Sequence, residues 1–363
     1  MMLVTAIFIY WHVVNLSFVE FFKKYHQYLS NIIAGIIALI CALLVMDFLA
    51  FSALVIEYII IGFIINDLLK VILKKIKSVK LTFILNNALI VLVLLGSLLG
   101  YGYYNAKQMQ TTSYQIKINK KYSINNLKIA FISDIHLGTF YDADKLNDYL
   151  KTINNHQVDL ILLGGDIFDE HTRVSDFKKA CKQLGELTST YGTYYVYGNH
   201  EIANYNHQSK LKVNDISREL TKNHIRVLKD ETILIANKFY LIGRDDFWSY
   251  GRHATQNAKP RADIKTLVKN TDQNKYKIVL DHQPIKFKTN KASGVNLQLS
   301  GHTHGGQHWP NCYISQLFSN DDLQYGLQED GDFNGVVTSG MAGWGYPIRT
   351  HSHNEIVFIT LIN

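Results

Sequence analysis

The sequence predicts two kinds of structure in one chain, an N-terminal α-helical transmembrane bundle followed by a polar α/β domain. Four long apolar stretches fill the first third of the chain. The composition changes to polar and mixed near Asn105, and short apolar runs then alternate with helical segments, which is typical of layered α/β folds. We place the membrane domain at 1–104, a connector and edge strand at 105–126, and the α/β domain at 127–363.

The apolar stretches predict membrane-spanning helices. They lie near 3–22, 31–51, 53–73 and 81–101. A helix rises about 1.5 Å per residue, so about 20 residues cross the hydrocarbon core of a bilayer. Each stretch has this length, and a tight turn near Phe51 separates the second from the third. We therefore expect four spans, of which the first is the most interrupted by polar residues.

The distribution of lysines predicts the orientation of these spans. Lys23 and Lys24 follow the first span, five more lysines lie at 70–80 between the third and fourth, and the turn between the second and third has no basic residue. Loops on the cytoplasmic side of a membrane carry an excess of lysine and arginine. We therefore expect both termini, and with them the α/β domain, to lie outside the cytoplasm.

Charge and cysteine content exclude several classes of protein. The first 105 residues hold seven lysines and four acids, so the 30 basic and 26 acidic residues that remain nearly balance. This balance argues against nucleic acid as a partner. The three cysteines, Cys41, Cys181 and Cys312, fit neither a disulfide framework nor a zinc-finger spacing. We interpret them as buried small apolar residues, with a single 181–312 pair as the alternative.

Five apolar runs predict strands, and each is followed by a residue type that binds metal. Ligand sites in open α/β sheets lie at the carboxyl ends of the strands. One such residue beside a strand is common, but five in succession indicate a shared metal site. The runs are LKIAFIS before Asp134 and His136, VDLILLGG before Asp166 and Asp169, TYYVYG before Asn199 and His200, YKIVL before His282, and VNLQLS before His302 and His304.

Two of these pairs have a spacing that suits a shared site. Residues i and i+2 of an extended chain point to the same side. We therefore expect Asp134 with His136, and His302 with His304, each to present two ligands to one place while the residue between them turns away. The neighbouring glycines allow the backbone to approach closely.

Taken in order, the motifs D-x-H, G-D-x-x-D, G-N-H-E, a single H and G-H-x-H resemble the calcineurin-like metallophosphoesterases. The resemblance covers roughly 125–361. The stretch G-H-T-H-G-G-Q and the closing segment 339–361 are similar to a bacterial branch whose members are often membrane-tethered or exported. Membership implies a four-layer α/β/β/α sandwich that holds a two-metal centre.

Carried onto the matching positions, the resemblance implies two metal sites that share one ligand, Asp166. His200 would be the catalytic histidine outside the metal shell, and Asp169 would orient it. The ligands of one metal would be Asp134, His136, Asp166 and His304, and those of the other Asp166, Asn199, His282 and His302.

The residue types suit this chemistry. Mixed imidazole and oxygen ligands favour manganese, iron or zinc. Two divalent ions about 3.5–4 Å apart can share a hydroxide that attacks phosphorus in line. Asp134, Asp166 and that hydroxide leave the pair of ions with a net positive charge, which holds a phosphate oxygen. His200 can protonate the leaving alkoxide.

The resemblance implies a membrane-anchored phosphohydrolase that cleaves a phosphodiester or a pyrophosphate. The membrane segment associates it with membrane lipids and with a lipid-linked or envelope-related substrate. The alternatives are a non-hydrolytic membrane sensor or scaffold, and a nuclease. Glu170 stands where phosphoprotein phosphatases carry arginine, which argues against that class. His200 stands where most enzymes that cleave a UDP-sugar pyrophosphate in lipid A synthesis carry arginine, although the G-H-T-H-G-G-Q branch includes proteins with that activity.

Other residues near the motifs are not assigned to the site. Trp344 and Arg349 either touch the substrate or pack within the domain. Tyr101, Tyr103 and Tyr104 are interpreted as an aromatic belt at the membrane surface. Positions on the surface or behind the ligands are expected for His308, His351 and His353. The residues that follow a predicted strand either line the pocket or cap loops, and they are Arg244, Asp245, Asp246 and Trp248.

Overall fold

The computed structural model describes residues 2–23, 28–44, 51–76, 78–119, 121–122, 124, 126–202, 211–247 and 261–363. The chain divides into two compact units, 1–101 and 102–363. The domain limits expected at 104 and 126 remain predictions.

The first unit is helical. Its helices are α1 Met2–Val14, α2 Ser17–Lys23, α3 Leu29–Leu44, α4 Phe51–Ile72, α5 Val79–Asn86 and α6 Leu89–Asn105, the last of which ends in the second unit. Among the described residues, α4 is the one helix long and apolar enough to cross a membrane, and α5 with α6 would make a second if the pair forms one span. The number of spans, four, remains a prediction.

Asparagines interrupt the first and the fourth apolar stretches, of which only the first was expected to be interrupted by polar residues. The side-chain amide of Asn15 donates to the carbonyl of Trp11 at 2.7 Å, and that of Asn87 donates to the carbonyl of Phe83 at 2.9 Å. Such local bonds compete with the helical ladder. The first stretch therefore divides into α1 and α2, and the fourth bends by 65° between α5 and α6.

The second unit contains two mixed six-stranded sheets. The first sheet has the order β1 Met109–Lys117, β12 Asn354–Ile362, β2 Leu127–Ile132, β3 Leu160–Leu163, β4 Thr193–Tyr195 and β5 Ile225–Val227. The second has the order β10 Gly326–Asp330, β11 Phe333–Val337, β9 Leu297–Ser300, β8 Tyr276–Leu280, β7 Phe239–Gly243 and β6 Glu231–Ile235.

Alternation along the strands builds the layers of this unit. In β2, Ile129 and Phe131 pack between the sheets, where they meet residues such as Ile278 of β8. Ala130 and Ile132 face the other way, toward helices on the outside of the first sheet. The helices on that side are α7 Ala143–Asn155, α8 Val174–Gly185 and α10 Val213–Lys222.

Helices also cover the outer face of the second sheet. Ile264 and Phe287 pack there against Ile242, Val279 and other strand residues. They belong to α11 Ile264–Val268 and α12 Phe287–Ala292, and two further helices, α9 Asn199–Ile202 and α13 Asn311–Phe318, complete the unit. The expectation of an α/β/β/α sandwich is therefore confirmed.

All five strands predicted to precede metal-binding residues are formed. Strands β2, β3 and β4 run parallel in the first sheet, and β8 and β9 run parallel in the second. Their carboxyl ends therefore gather at one edge of the sandwich, and each sheet supplies part of the candidate site.

Candidate metal centre

The loops at this edge bring the predicted ligands into two clusters. Within each cluster, one nitrogen or oxygen atom from every residue lies within 4.8 Å of the others. The first cluster is Asp134, His136 and His304, and the second is Asp166, His282 and His302. His302 and His304, two residues apart in sequence, thus lie in different clusters.

Asp166 belongs to the second cluster and also approaches the first. Its Oδ2 is 3.1 Å from Nε2 of His282 in the second cluster and 3.8 Å from Nε2 of His136 in the first. Asn199, at the start of α9, places its Oδ1 3.1 Å from the same nitrogen of His282. The carboxylate of Asp166 therefore lies near imidazoles of both clusters.

Three of the imidazoles place Nδ1 against an oxygen that accepts a hydrogen bond. The distances are 2.8 Å from His282 to the carbonyl of Gly164, 3.1 Å from His304 to the carbonyl of Ala342, and 3.1 Å from His136 to Oδ2 of Asp169. A proton on Nδ1 leaves the lone pair of Nε2 free to bind a metal. All three Nε2 atoms belong to the side of the ring that faces the clusters.

Three observations indicate that the site suits a cation. Nε2 of His136 is buried and has no hydrogen-bond partner in the described part of the chain. Burial opposes protonation of His282, yet Asp166 and Asp134 raise its pKa well above the ordinary value. Burial and the neighbouring His282 lower the pKa of His302 to about 3, so His302 is neutral at pH 7, the form that binds metal.

The ligand backbone is not extended, which corrects the explanation given for the paired spacing. Asp134 and His136 have φ of 53° and 42°, and His302 and His304 have φ of 71° and 51°. These left-handed conformations are unfavourable for residues other than glycine and are concentrated at functional sites. The side chains converge because the loops turn sharply, and not because they alternate along a strand.

Hydrogen bonds and close packing hold these turns. The Asp134 carboxylate accepts from the backbone N–H of His302, with both oxygens 3.1 Å from that nitrogen. Oδ1 of Asp166 accepts from the N–H of His200 at 2.8 Å. Gly301 lies so close to the Asp134 carboxylate that a Cβ at this position would overlap it.

Glu201 stabilises the turn after β3, a role that was not predicted from the sequence. Its buried carboxylate accepts four backbone N–H bonds of 2.7–3.0 Å, from Asp166, Ile167, Phe168 and Gly198. Burial raises the pKa of Glu201, but four N–H donors favour its ionised form. The only available signal was its place as the last letter of G-N-H-E.

Substitution of Glu201 by glutamine is expected to destabilise the domain. An amide nitrogen would replace one oxygen, so two buried N–H groups would lose their acceptor at about 1–3 kcal/mol each. Together the two groups cost about 2–6 kcal/mol, and at 2–4 °C per kcal/mol we expect the unfolding midpoint to fall by roughly 4–24 °C. Thermal unfolding of Glu201→Gln beside Glu186→Gln, an exposed glutamate, measures this, and equal midpoints would contradict the bracing role.

The carboxylate that contacts His200 is Glu170, which corrects the role expected of Asp169. Oε2 of Glu170 is 3.0 Å from Nδ1 of His200, whereas Oδ2 of Asp169 is 3.1 Å from Nδ1 of His136. Asp169 is also held by Thr172, whose side-chain oxygen accepts from the N–H of Asp169. These bonds direct Asp169 toward the first cluster, and it is Glu170 that faces His200.

The surroundings of His200 favour its protonated ring. Burial lowers its pKa, but Asp166 and Glu170 outweigh burial and raise the pKa to about 9. Nε2 is the ring nitrogen not bonded to Glu170. The ring centre of Trp344 lies 5.9 Å from that of His200, and the Trp344 indole nitrogen is buried without a partner in the described chain.

Arg349 packs within the domain and bonds the backbone of His304. It is fully buried, and burial lowers its pKa to about 10. Its guanidinium donates to the carbonyl of His304 at 3.4 Å, to that of Ser339 at 2.6 Å and to that of Ala342 at 2.5 Å. Because Ala342 also accepts from Nδ1 of His304, Arg349 fixes the loop that orients this imidazole.

The residues near the motifs that were not assigned to the site belong to neither cluster. His308 stacks on Tyr346, His351 lies beside Tyr313, and His353 is 3.3 Å from Glu355. Arg244 pairs with Asp230 at 3.2 Å, and Asp245 with Lys229 at 3.4 Å. Trp248 lies outside the described residues. The three cysteines are free, so the alternative 181–312 pair is not formed.

Comparisons with known proteins agree on one family. Residues 127–306 match the family described as calcineurin-like phosphoesterase. Over 275 residues the chain is 32% identical to a Helicobacter pylori protein named uncharacterized metallophosphoesterase, covering 73% of this chain and 68% of that protein. It is 30% identical over 254 residues to a Bos taurus protein named transmembrane protein with metallophosphoesterase domain, covering 66% of this chain and 54% of that protein.

Solved structures include similar folds. A dimetal phosphatase from Danio rerio is similar over 66% of this chain and 94% of its own, with 14% identity and a TM-score of 0.43. That likeness is too distant to bear on the chemistry of this chain.

Proposed function

Because this chain belongs to the calcineurin-like phosphoesterase family, whose members are metal-dependent phosphoester hydrolases, we propose that it is a membrane-anchored dinuclear-metal phosphohydrolase. It cleaves a phosphodiester or a pyrophosphate, and its substrate is linked to a lipid or to an envelope precursor. The observation that carries this proposal is the pair of ligand clusters, both of which Asp166 approaches, with His200 beside them.

The proposal assigns ligands to two ions. Imidazole, carboxylate and amide donors suit manganese, iron or zinc. When bound, two such ions would supply a nucleophile at neutral pH and neutralise the charge on the phosphoryl oxygens. One ion would be held by Asp134, His136, Asp166 and His304, and the other by Asp166, Asn199, His282 and His302.

His200 handles the proton in this proposal. Glu170 accepts from Nδ1, which fixes the ring and leaves Nε2 to carry the proton that the leaving oxygen needs. The negative charges of Asp166 and Glu170 keep that proton on the ring until the bond to the leaving group breaks. The Trp344 ring lies 5.9 Å from that of His200, whose side chain is mostly buried.

The two adjacent carboxylates are expected to affect different measurements. Glu170→Gln loosens His200 and should lower kcat, while Asp169→Asn loosens His136 and should weaken metal binding. Supporting groups of this kind are worth about 10–100-fold each. Metal titration and kcat at saturating metal separate them. The assignment is contradicted if Asp169→Asn lowers kcat at saturating metal while metal affinity stays unchanged.

Membrane anchoring is supported by the apolar helices and by the named transmembrane relative. The lysine distribution supports a catalytic domain outside the cytoplasm. A fusion of alkaline phosphatase to the C-terminus should then be active, and a fusion of green fluorescent protein should be dark. The reverse pattern would place the domain in the cytoplasm and overturn this part of the proposal.

Hydrolysis of a generic diester tests the activity. The purified full chain with Mn²⁺ should release p-nitrophenol from bis-p-nitrophenyl phosphate, and chelation of the metal should stop the release. A metal-loaded chain that hydrolyses neither generic nor lipid phosphoesters would favour the sensor or scaffold alternative. Salt-dependent DNA cleavage would favour a nuclease.

A further inference from the structure

Helix α13 has one face attached to the metal-ligand loop. Cys312 is buried and packs on Gly306, four residues after His302 in the G-H-T-H-G-G-Q stretch. A second link passes through Gln324, whose carbonyl accepts from the Thr303 hydroxyl at 2.6 Å and whose amide donates to the hydroxyl of Ser315 at 2.9 Å. The position of α13 is therefore tied to the loop that carries two proposed ligands.

The opposite face of α13 is apolar and exposed. Tyr313, Ile314, Leu317 and Phe318 are exposed by 57%, 49%, 79% and 82%. At 100° per residue they fall within a single arc of about 140° on the helix. A continuous apolar patch of this kind on a protein surface marks a site of interaction with a partner or a membrane.

The surroundings of this face favour lipid as the partner. The segment 349–351 contacts both α13 and the last turn of the apolar helix α6. The ring centre of His351 lies 5.7 Å from that of Tyr313 on α13. The backbone N–H of Arg349 donates to the carbonyl of Gly102 on α6 at 3.0 Å. Asn105, the final residue of α6, donates to the carbonyl of Arg349 at 3.0 Å.

Aromatic side chains also mark this end of α6. Tyr103 and Tyr104 are exposed on the turn that the segment holds. Aromatic residues are enriched where a membrane meets water. The apolar face of α13 and the end of an apolar helix are therefore held by one short stretch of chain.

We propose that α13 inserts its apolar face into the interfacial layer of a lipid bilayer and presents the metal centre to lipid-borne phosphoesters. This inference rests on the membrane anchoring proposed above. The eight residues of α13, NCYISQLF, carry no charge. Insertion is therefore driven by apolar area, and neutral phosphatidylcholine suffices without anionic lipid.

Tryptophan quenching in vesicles tests the insertion. Phe318→Trp in the full chain, reconstituted in phosphatidylcholine brominated in the upper acyl chain, should lose emission relative to ordinary lipid, after subtraction of the wild-type signal. An interfacial helix buries its apolar face about 5–10 Å into the boundary between headgroups and acyl chains, within reach of those bromines. The matched control is Leu234→Trp, an exposed apolar position on β6 at the opposite edge of the sheet from β10, which should not be quenched.

The outcomes separate this inference from the anchoring on which it rests. Extraction of the wild-type chain from vesicles by alkaline carbonate would overturn the anchoring itself. A chain that stays in the vesicles while the tryptophan introduced by Phe318→Trp is not quenched would overturn the insertion alone, and the face would then belong to a protein partner.

A second measurement links insertion to substrate access. Leu317→Asp with Phe318→Asp should lose hydrolysis of phosphatidyl p-nitrophenol in vesicles and keep hydrolysis of soluble bis-p-nitrophenyl phosphate. Leu234→Asp should keep both. Equal loss on the soluble and the lipid substrate in the α13 variant would contradict a role in presenting lipid.

Discussion

Asp166→Asn is expected to abolish phosphoester hydrolysis and to prevent the binding of two ions. Oδ2 of Asp166 lies 3.1 Å from Nε2 of His282 in the second cluster and 3.8 Å from Nε2 of His136 in the first. An amide removes the negative charge and puts a nitrogen without a free lone pair in place of one oxygen. Loss of several kcal/mol of metal-dependent stabilisation corresponds to a fall in kcat of about 10³-fold or more.

Metal content and kcat, measured on the same preparation, check this expectation. Asp332→Asn is the matched control, because Asp332 is exposed and pairs with Lys121 at 3.6 Å, apart from both clusters. Circular dichroism should be the same for both variants. An Asp166→Asn variant that still binds two ions and keeps the wild-type kcat would contradict the proposal that Asp166 is a ligand of both ions.

His200→Gln is expected to lower kcat by about 10²–10⁴-fold while leaving two ions bound, since general acid catalysis has this range. Nδ1 of His200 is bonded to Glu170, and its Nε2 is the atom to which we assign the proton. Glutamine fills similar space but cannot donate a proton near neutral pH. The effect should therefore fall on kcat rather than on metal affinity.

The leaving group supplies a sharper check on His200. A p-nitrophenolate leaves without a proton, so a substrate with an alkyl leaving group should be affected more strongly by His200→Gln. His224→Asn is the control, because His224 is exposed and has a φ of 63° that asparagine tolerates. Equal loss for both leaving groups would argue that His200 serves only to hold the site together.

Local patterns in the sequence were sufficient to predict the five strands that precede the cluster residues, and those residues themselves. A short apolar run followed by Asp or His is a local feature, and the carboxyl ends of parallel strands meet at one edge whatever the rest of the chain does. The runs before Asp134, Asp166 and His282 became β2, β3 and β8.

The partner of His200 could not be predicted in this way. Spacing alone allows either Asp169 or Glu170 to face the ring, and the choice depends on the turn after β3, where Asp166 has a φ of 50°. That turn is held by Glu201 from α9, more than 30 residues along the chain. Long-range hydrogen bonds of this kind leave no periodic signal in a single sequence.

The apolar stretches illustrate the same limit. Hydropathy identified where apolar residues gather, but it did not detect that the side chains of Asn15 and Asn87 bond the carbonyls four residues earlier. The result is a broken helix in each case, and the count of membrane spans depends on how such breaks are accommodated.

Titration of the metal-free full chain with Mn²⁺, followed by hydrolysis of bis-p-nitrophenyl phosphate, tests the central claim most directly. The claim is that two ions sharing Asp166 act together in one phosphohydrolase site. The account predicts little activity with one equivalent and a plateau at two equivalents per chain. A plateau at one equivalent, or two tightly bound ions with no hydrolysis of any phosphoester, would contradict it.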